Sequence, residues 1–219
     1  MNNKKKLDFN RVKIIFLDFD GTIKDSDNIK GKLFSDLFKK SPIKIKQKIN
    51  SHHQKNLGIS RLVKIPLYMQ WNNILVNKKT KNKYIKMYSK LVFHKICKSK
   101  WMPGAFKFIK NNYADKKLVL LTATPHEEII RICQKIKILN YFKIIKGYPF
   151  KKHYIINILI KKYRLNKNEC LYIGNSKSDS DAARMNKIAY INFNKKKLIL
   201  IKNSITINNF NYFKDYVSD

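Results

Sequence analysis

Five short apolar runs rich in β-branched residues, most of them separated by helical patterns, constrain this fold more than any other feature of the chain. They lie at residues 12–19, 118–122, 142–145, 170–173 and 188–193. Helical periodicity follows three of them, over residues 127–138, 154–163 and 179–185. Apolar strands that alternate with helices are typical of a parallel sheet covered by helices on both faces. The pattern therefore predicts an α/β protein with a Rossmann-like, doubly wound parallel sheet.

The long stretch between the first two predicted strands needs a different explanation. Residues 24–95 show helix-like periodicity, few Gly or Pro residues and no convincing strand. A doubly wound fold needs only one crossover at this point, so we expect a helical domain at residues 24–95. Residues 1–23 and 96–219 then form the core domain. The tail from residue 195 carries one apolar run, at 198–201, which the pattern does not place.

The net charge of the chain is extreme. Forty-eight basic residues against 14 acidic ones give +34 at pH 7. A polyanionic partner such as nucleic acid would explain this charge. A proteome rich in lysine, asparagine and isoleucine explains much of it as well, and we favour that explanation. The aromatic residues of the helical stretch either stack on bases or, more commonly, fill a helical core: Tyr68, Trp71, Tyr84 and Tyr88.

Cysteine spacing and hydropathy indicate the compartment. The three cysteines form no CxxC pair, which argues against a disulfide framework or a zinc site and suits a reducing cytosol. No apolar segment has the length of a membrane span or of a signal-peptide core. We therefore expect a cytoplasmic protein without a membrane partner.

Acidic residues are scarce, and they gather directly after two predicted strands. Asp18 and Asp20 follow the first strand, Asp179 and Asp181 follow the fourth, and residues 37–114 contain no acid at all. Ligands of parallel sheets bind at the carboxyl ends of the strands. Alternation along an extended chain places Asp18 and Asp20 on the same side. Such a pair can hold magnesium while one carboxylate attacks phosphorus and the other moves a proton. A simple Asp-Gly turn is the less specific alternative.

Three motifs now resemble those of one known family. The string LDFDGT at residues 17–22 resembles the first motif of the haloacid dehalogenase-like (HAD) superfamily of phosphatases. LTATP at 121–125 resembles the second, which implies that the Thr122 hydroxyl and the Ala123 N–H bind phosphoryl oxygens. GYPFKK at 147–152 resembles the third, whose lysine neutralises the phosphate. The family's GxPxxK spacing selects Lys152, and Lys151 is the close rival.

The fourth motif departs from the family pattern. IGNSKSD at 173–179 resembles the family's GDSxxD, but Asn175 stands where an aspartate is usual. The resemblance implies an Mg²⁺ site made by Asp18, Asp20, Asn175 and Asp179, with weakened affinity because one negative charge is lost. A catalytically weak relative with a binding role is therefore an alternative. Asp20 argues against dehalogenation, because the true dehalogenases lack this second aspartate.

The helical stretch resembles the cap domain that many members of the superfamily carry. Its HxxNxGxSR string, from His53 to Arg61, resembles a segment of a phosphoglycolate-phosphatase-like branch, although Leu57 replaces a usual glycine. The resemblance implies that Arg61 and His53 bind the substrate; a solvated basic face is the alternative. The chain as a whole is expected to be a magnesium-dependent phosphatase acting on a small organic phosphate monoester, with an acidic sugar phosphate as one candidate. A nucleic-acid-binding protein or a polynucleotide-end phosphatase is the main alternative.

Overall fold

The computed structural model describes residues 7–194 and 205–218, and its strands follow the sequence pattern closely. The strands, in chain order, are β1 (Leu7–Asp8), β2 (Ile14–Leu17), β3 (Lys117–Pro125), β4 (Ile144–Tyr148), β5 (Cys170–Gly174), β6 (Ala189–Phe193), β7 (Ile205–Ile207) and β8 (Val217–Ser218). The helices are α1 (Asp27–Leu37), α2 (Ile43–Lys55), α3 (Arg61–Gln70), α4 (Lys78–Lys98), α5 (Ala105–Asn112), α6 (His126–Lys135), α7 (Lys152–Lys162) and α8 (Lys177–Asn186). Three short 3-10 helices lie at Leu139–Tyr141, Lys167–Glu169 and Phe210–Tyr216.

Six of the strands form one parallel sheet in the order β4-β3-β2-β5-β6-β7. Strand β2 lies in the interior of the sheet, between β3 and β5, so that Ile14 is aligned with both Lys117 and Cys170. All five predicted strands are confirmed. Strand β7 was not predicted, because its three residues carry too little pattern, and the apolar run at 198–201 lies outside the described residues. Strands β1 and β8 form a separate parallel pair that joins the two ends of the chain.

The interior strands are apolar throughout because helices cover both faces of the sheet. In β2, Ile15 and Leu17 belong to one hydrophobic cluster, together with residues of α5 and α6. Ile14 and Phe16 belong to a second cluster, together with residues of α7 and α8. Side chains of a strand alternate between the two faces, so each face of β2 is buried under a different pair of helices. This is the doubly wound architecture that the sequence predicts.

Most of the chain between β2 and β3, from residue 27 to residue 98, folds as the helices α1 to α4, and α5 follows before β3. Phe34 of α1 stacks on Tyr88 of α4 at 4.2 Å between ring centroids and meets Tyr68 of α3 edge-on at 5.2 Å. Tyr68 and Tyr88 are 0% and 1% exposed. The suggestion that these two rings stack on nucleic-acid bases is therefore wrong, because they form the core of the helical stretch instead. Trp71 and Tyr84 pack against the same core.

No helix in the described part of the chain combines the length and the apolar character that a membrane span needs.

Candidate active site

Asp18 lies directly beyond the last residue of β2, at the carboxyl edge of the sheet. Its N–H donates to the carbonyl of Ile173 in β5 at 3.0 Å, which fixes the backbone at this point. The side chain is buried, and Lys152 Nζ donates to its Oδ1 at 2.7 Å. Burial and the nearby charge of Asp179 raise the pKa of Asp18 well above its ordinary value, while Lys152 opposes this shift. A cation in front of Asp18 would therefore favour the ionised form that a nucleophile needs.

Lys152 is the first residue of α7, and it joins two carboxylates. Its Nζ donates to Asp18 and, at 2.5 Å, to Oδ1 of Asp179. Burial by itself would lower the pKa of Lys152, but the charges of Asp179 and Asp18 raise it above the ordinary value. Lys151 is exposed and precedes the helix. The structure thus brings Lys152, and not its rival Lys151, to the predicted site.

Asp179 lies behind Asp18 and is 0% exposed. Besides Lys152, it accepts hydrogen bonds from the Tyr172 hydroxyl at 2.7 Å and from the N–H and hydroxyl of Ser176 at 2.9 and 2.6 Å. The Ser176 bonds also cap helix α8. Asp179 does not line the cavity in front of Asp18. A direct contact between Asp179 and a metal ion in that cavity would require some of these bonds to break.

Asp20 points into the cavity and is held by three donors. These are the Ser26 hydroxyl at 2.6 Å, Lys30 Nζ at 2.5 Å and the Thr124 hydroxyl at 3.1 Å. Burial raises the pKa of Asp20, but the charge of Lys30 and the three hydrogen bonds outweigh burial and lower the pKa below its ordinary value. Asp20 is thus ionised at neutral pH in this structure. Sequence reasoning did not assign a role to Lys30, because a single lysine among so many basic residues carries no signal. It did not assign one to Thr124 either.

Asn175, the residue that departs from the family pattern, faces an acid from another part of the chain. Its Nδ2 donates to Oδ2 of Asp27, in the first turn of α1, at 2.7 Å. Gly21 makes the approach possible: a Cβ there would lie 2.0 Å from Asn175 Nδ2 and 2.1 Å from Asp27 Oδ2. Burial and Asp20 raise the pKa of Asp27 to about 6. The carboxylate of Asp27 therefore lies next to Asn175, the position at which the family usually has an aspartate.

The second motif forms the opposite wall of the cavity, at the end of β3. Thr122 is 2% exposed, and its Oγ1 accepts a hydrogen bond from the N–H of Thr124 at 3.2 Å. Ala123 and Thr124 line the same wall. The strand ends here because β3 loses register with β4 between Leu121 and Pro125, where the chain turns into α6.

His53 and Arg61 reach the cavity from the helical stretch, but both are already engaged. His53 Nε2 contacts the carbonyl of Asp27, and its Nδ1 contacts Lys64 Nζ, each at 3.1 Å. Burial and the charge of Lys64 lower the pKa of His53 to about 3, so the ring is neutral. Arg61 forms a buried ion pair with Glu128 of α6, although its Nε–H has no partner among the described residues. Sequence reasoning did not identify Glu128 or Lys64.

These side chains line one cavity with about 500 Å³ of empty space, part of it open to solvent. Seven of the nine predicted site residues line it directly: Asp18, Asp20, His53, Arg61, Thr122, Ala123 and Asn175. The other two, Lys152 and Asp179, lie behind Asp18. The cavity wall also includes Asp27, Lys30 and Lys64, for which the sequence pattern predicts no role.

The donor set of the cavity suits a hard cation. Within the described residues, no three His, Cys, Asp or Glu side chains converge into a ready-made metal cage. Magnesium does not need one, since it commonly takes one or two carboxylates together with water and substrate phosphate oxygens. Asp18, Asp20 and the amide oxygen of Asn175 offer that kind of set at one edge of the sheet.

Comparison with known proteins agrees with this architecture. No curated protein matches the chain. Among solved structures, YfnB from Bacillus subtilis, solved with bound magnesium, is 13% identical with a TM-score of 0.70, and the match covers 95% of this chain and 100% of that one. CbbY from Rhodobacter sphaeroides, in complex with phosphate, is 11% identical with a TM-score of 0.70 and coverages of 91% and 95%. A predicted phosphoglycolate phosphatase from Haemophilus somnus is 15% identical with a TM-score of 0.64 and coverages of 95% and 94%.

A family model also matches the chain. The model of the haloacid dehalogenase-like hydrolases matches residues 14–193, from the first residue of β2 to the last residue of β6. This range contains all four motifs and every residue of the cavity described above. The chain therefore belongs to the haloacid dehalogenase-like hydrolase family.

Proposed function

We propose that this hydrolase is a phosphatase that cleaves a small organic phosphate monoester through an aspartyl-phosphate intermediate on Asp18. The observation that carries the proposal is the position of the Asp18 carboxylate, buried at an interior strand end and facing a cavity. Lys152 is hydrogen-bonded to Asp18 Oδ1 at 2.7 Å, and Thr122 and Ala123 form the neighbouring wall. A nucleophile beside a fixed cation and hydrogen-bond donors is the arrangement that phosphoryl transfer requires.

In the first step, a carboxylate oxygen of Asp18 attacks phosphorus, and the bond between phosphorus and the ester oxygen breaks. Lys152, the Thr122 hydroxyl and the Ala123 N–H stabilise the charge on the transferring group. In the second step, water attacks the phosphorus of the aspartyl phosphate. Inorganic phosphate leaves, and the carboxylate of Asp18 is restored.

Asp20 is the proposed acid and base. It gives a proton to the departing ester oxygen and later takes one from the attacking water. In the structure, Lys30 keeps Asp20 ionised. A phosphate dianion next to Asp20 acts in the opposite direction, because a like charge raises the pKa of a carboxyl group. We infer that substrate binding supplies the protonated form that the first step uses.

The cofactor in this proposal is Mg²⁺, held by Asp18, Asp20 and the Asn175 amide oxygen, with the Asp27 charge nearby. When bound, the ion offsets the repulsion between the anionic nucleophile and the anionic ester. The bonds of Asp179 to Lys152, Tyr172 and Ser176 favour a different role for it, in which it positions Lys152 and does not contact the ion directly.

We also propose that residues 24–95 act as a cap over the core domain. Helices α1, α2 and α3 contribute Lys30, His53 and Lys64 to the cavity wall, so the helical stretch and the strand ends enclose the same space. The YfnB structure reveals movement between domains, and an equivalent movement here would admit the substrate and then exclude water.

The cysteines are free in the structure, which supports the proposal of a reducing, cytoplasmic location.

The nucleophile is tested with Asp18→Asn. We expect this variant to fold and to release phosphate from small monoesters about 10³-fold more slowly or worse, because the amide cannot form the acyl phosphate. Phosphate release with saturating Mg²⁺ measures the rate. Mass spectrometry of acid-quenched wild-type protein then detects one added phosphoryl group, which Asp18→Asn lacks.

Asp181→Asn is the matched control, because Asp181 lies on α8 outside the cavity and pairs only with surface groups. It should retain wild-type turnover. Turnover by Asp18→Asn at the rate of this control would rule out Asp18 as the nucleophile.

A further inference from the structure

Lys64 is a buried cation that the phosphatase mechanism does not use. It lies on α3, three residues after Arg61, and is 2% exposed while still lining the cavity. Its ammonium group has three N–H donors, and the hydrogen bond found for it is the one to His53 Nδ1 at 3.1 Å. In the part of the chain that the structure describes, no carboxylate forms an ion pair with it. Burying a charge without an opposite partner costs free energy, so the burial of Lys64 at this position needs an explanation.

The surroundings hold Lys64 in a fixed place. Because an ammonium group can only donate, His53 Nδ1 must accept, and His53 Nε2–H then donates to the carbonyl of Asp27 at 3.1 Å. The Phe34 ring lies 6.0 Å from Lys64 Nζ and closes the apolar side. The neutral His53 ring thus bridges α1 and α3 through these two hydrogen bonds and orients the ammonium group of Lys64.

The other cations of the cavity wall are neutralised by the protein itself. Lys30 pairs with Asp20 at 2.5 Å, and Arg61 pairs with Glu128 of α6. Two donors of Lys64 remain for a ligand, on the side of the cavity formed by the helical stretch. Asp18 and Lys64 line the same cavity, so a phosphate ester with its phosphorus at Asp18 would share that space with Lys64.

We propose that Lys64 binds a second anionic group on the alcohol portion of the substrate and thereby selects compact phosphate esters that carry two anions. This inference rests on the proposed phosphatase function and names the substrate class. The shared chemistry is a carboxylate or a second phosphate close to the ester. Arg61, for which the family resemblance implies substrate binding, has its Nε–H left as an auxiliary donor, since that group has no partner among the described residues.

The experiment uses three phosphate esters of two-carbon alcohols: phosphoglycolate, ethanediol bisphosphate and ethyl phosphate. They differ in the far group, which is a carboxylate, a phosphate or a neutral methyl group. We expect wild-type kcat/KM to favour at least one of the two esters with a second anionic group over ethyl phosphate by tenfold or more. Lys64→Met should reduce that preference to within about threefold, mainly through KM, and should leave ethyl phosphate unchanged. Lys32→Met is the matched control, because Lys32 is exposed on α1 and its removal changes the net charge equally.

The results separate the two proposals. If Lys64→Met keeps the wild-type preference, the assignment of Lys64 is overturned. If the wild-type chain hydrolyses none of the three esters, the phosphatase proposal fails, and calorimetric binding then decides the role of Lys64. A tenfold weaker affinity of Lys64→Met for phosphoglycolate or for ethanediol bisphosphate supports the assignment. Affinities equal to wild type for both overturn it.

We expect Lys64→Met to fold, and its free energy of unfolding should differ from that of the wild-type chain in a way that depends on pH. Burial and the charge of Lys30 lower the pKa of Lys64 to about 8, although Asp27 and Asp20 oppose this shift and His53 is neutral. The folded chain therefore holds this proton less tightly than the unfolded chain, so charged Lys64 costs stability below pH 8. Lys64→Met should be the more stable chain at pH 7, and the difference in the free energy of unfolding should shrink as the pH rises from 8 toward 10.

Discussion

Individual side chains in this cavity are arranged so that carboxylates meet lysines from distant parts of the chain. Asp18 faces Lys152, and Asp20 faces Lys30. Among the described residues that line the cavity, Asp27 is the carboxylate without such a direct pair, and it receives a hydrogen bond from Asn175. The pKa of Asp27 is raised as a result of burial and of Asp20, whereas Lys30 lowers the pKa of Asp20. Although Asn175 replaces the usual aspartate of the fourth motif, the carboxylate of Asp27 still provides negative charge at this part of the cavity.

This contact changes what Asn175→Asp is expected to do. The new carboxylate would face Asp27 across a hydrogen-bond distance, and at pH 8 two like charges at a few ångströms cost about 1–3 kcal/mol at an intermediate dielectric. We expect a lower free energy of unfolding in EDTA and a recovery in Mg²⁺ that exceeds the effect of Mg²⁺ on the wild-type chain. Denaturation by urea under both conditions measures this.

Asn111→Asp, on the exposed surface of α5, controls for the added charge. Asn175→Asp with the wild-type stability in EDTA would contradict the like-charge contact. Asn175→Asp that gains no more stability from Mg²⁺ than the wild-type chain does would contradict the proposed magnesium site.

At the scale of elements, a buried ion pair links the helical stretch to helix α6, which packs on the sheet. Arg61 at the start of α3 pairs with Glu128 in the first turn of α6, and the side chains are 5% and 10% exposed. Arg61 also lies over the Tyr88 ring of α4, at 5.3 Å. Within residues 7–194 and 205–218, one donor of Arg61 and one oxygen of Glu128 have no hydrogen-bond partner, so the pair is imperfectly satisfied. A cap that opens over α6 would have to break this contact.

We expect Glu128→Gln to lower the free energy of unfolding by about 2–4 kcal/mol, because it leaves the buried Arg61 charge without a counter-ion. Hydrogen exchange should speed up in α3 before it changes in the sheet. Glu127→Gln is the control, since Glu127 is the exposed neighbour on the same helix. A double-mutant cycle with Arg61→Met gives the coupling energy. A coupling near zero would show that the pair does not join the two parts of the molecule.

Across the whole molecule, the charge distribution favours the approach of anions. The net charge is +34, and residues 37–114 contain no acid, so most of the helical stretch that borders the cavity is basic. Such a field raises the encounter rate of small anions without any specific contact. The same field attracts nucleic acid, but two of the aromatic residues that would stack on bases are buried in the core of the helical stretch.

Salt should therefore act on substrate capture and not on chemistry. With Mg²⁺ saturating, we expect kcat/KM for a phosphate ester to fall several-fold between about 10 and 150 mM KCl, because the Debye length shortens from roughly 30 to 8 Å. The value of kcat should stay constant. Sucrose at matched osmolarity serves as the control. A kcat/KM that does not respond to salt would mean that the overall charge plays no part in substrate capture.

The sequence by itself determined the sheet, the order of the motifs and the helical character of the stretch between β2 and β3. These follow from local physics, since apolar runs of strand length can be buried only in a covered sheet. It also predicted Asp18 and Asp20 as neighbours, from alternation along an extended strand. The family resemblance added Thr122 and Asn175, and all four line one cavity at the edge where β2, β3 and β5 end.

Only the tertiary structure decided which lysines serve the cavity and which cations are left unpaired. Lys30 and Lys64 look like any other lysine in the sequence, and their roles depend on burial and on partners 10 and 11 residues away, Asp20 and His53. The family resemblance selected Lys152 with Lys151 as its rival, and the contact of Lys152 with Asp18, 134 residues away, exists only in the folded chain. Arg61 illustrates the same limit, because its pairing with Glu128 joins α3 to α6. Charge pairing across a fold is set by packing in three dimensions, and a one-dimensional pattern carries no record of it.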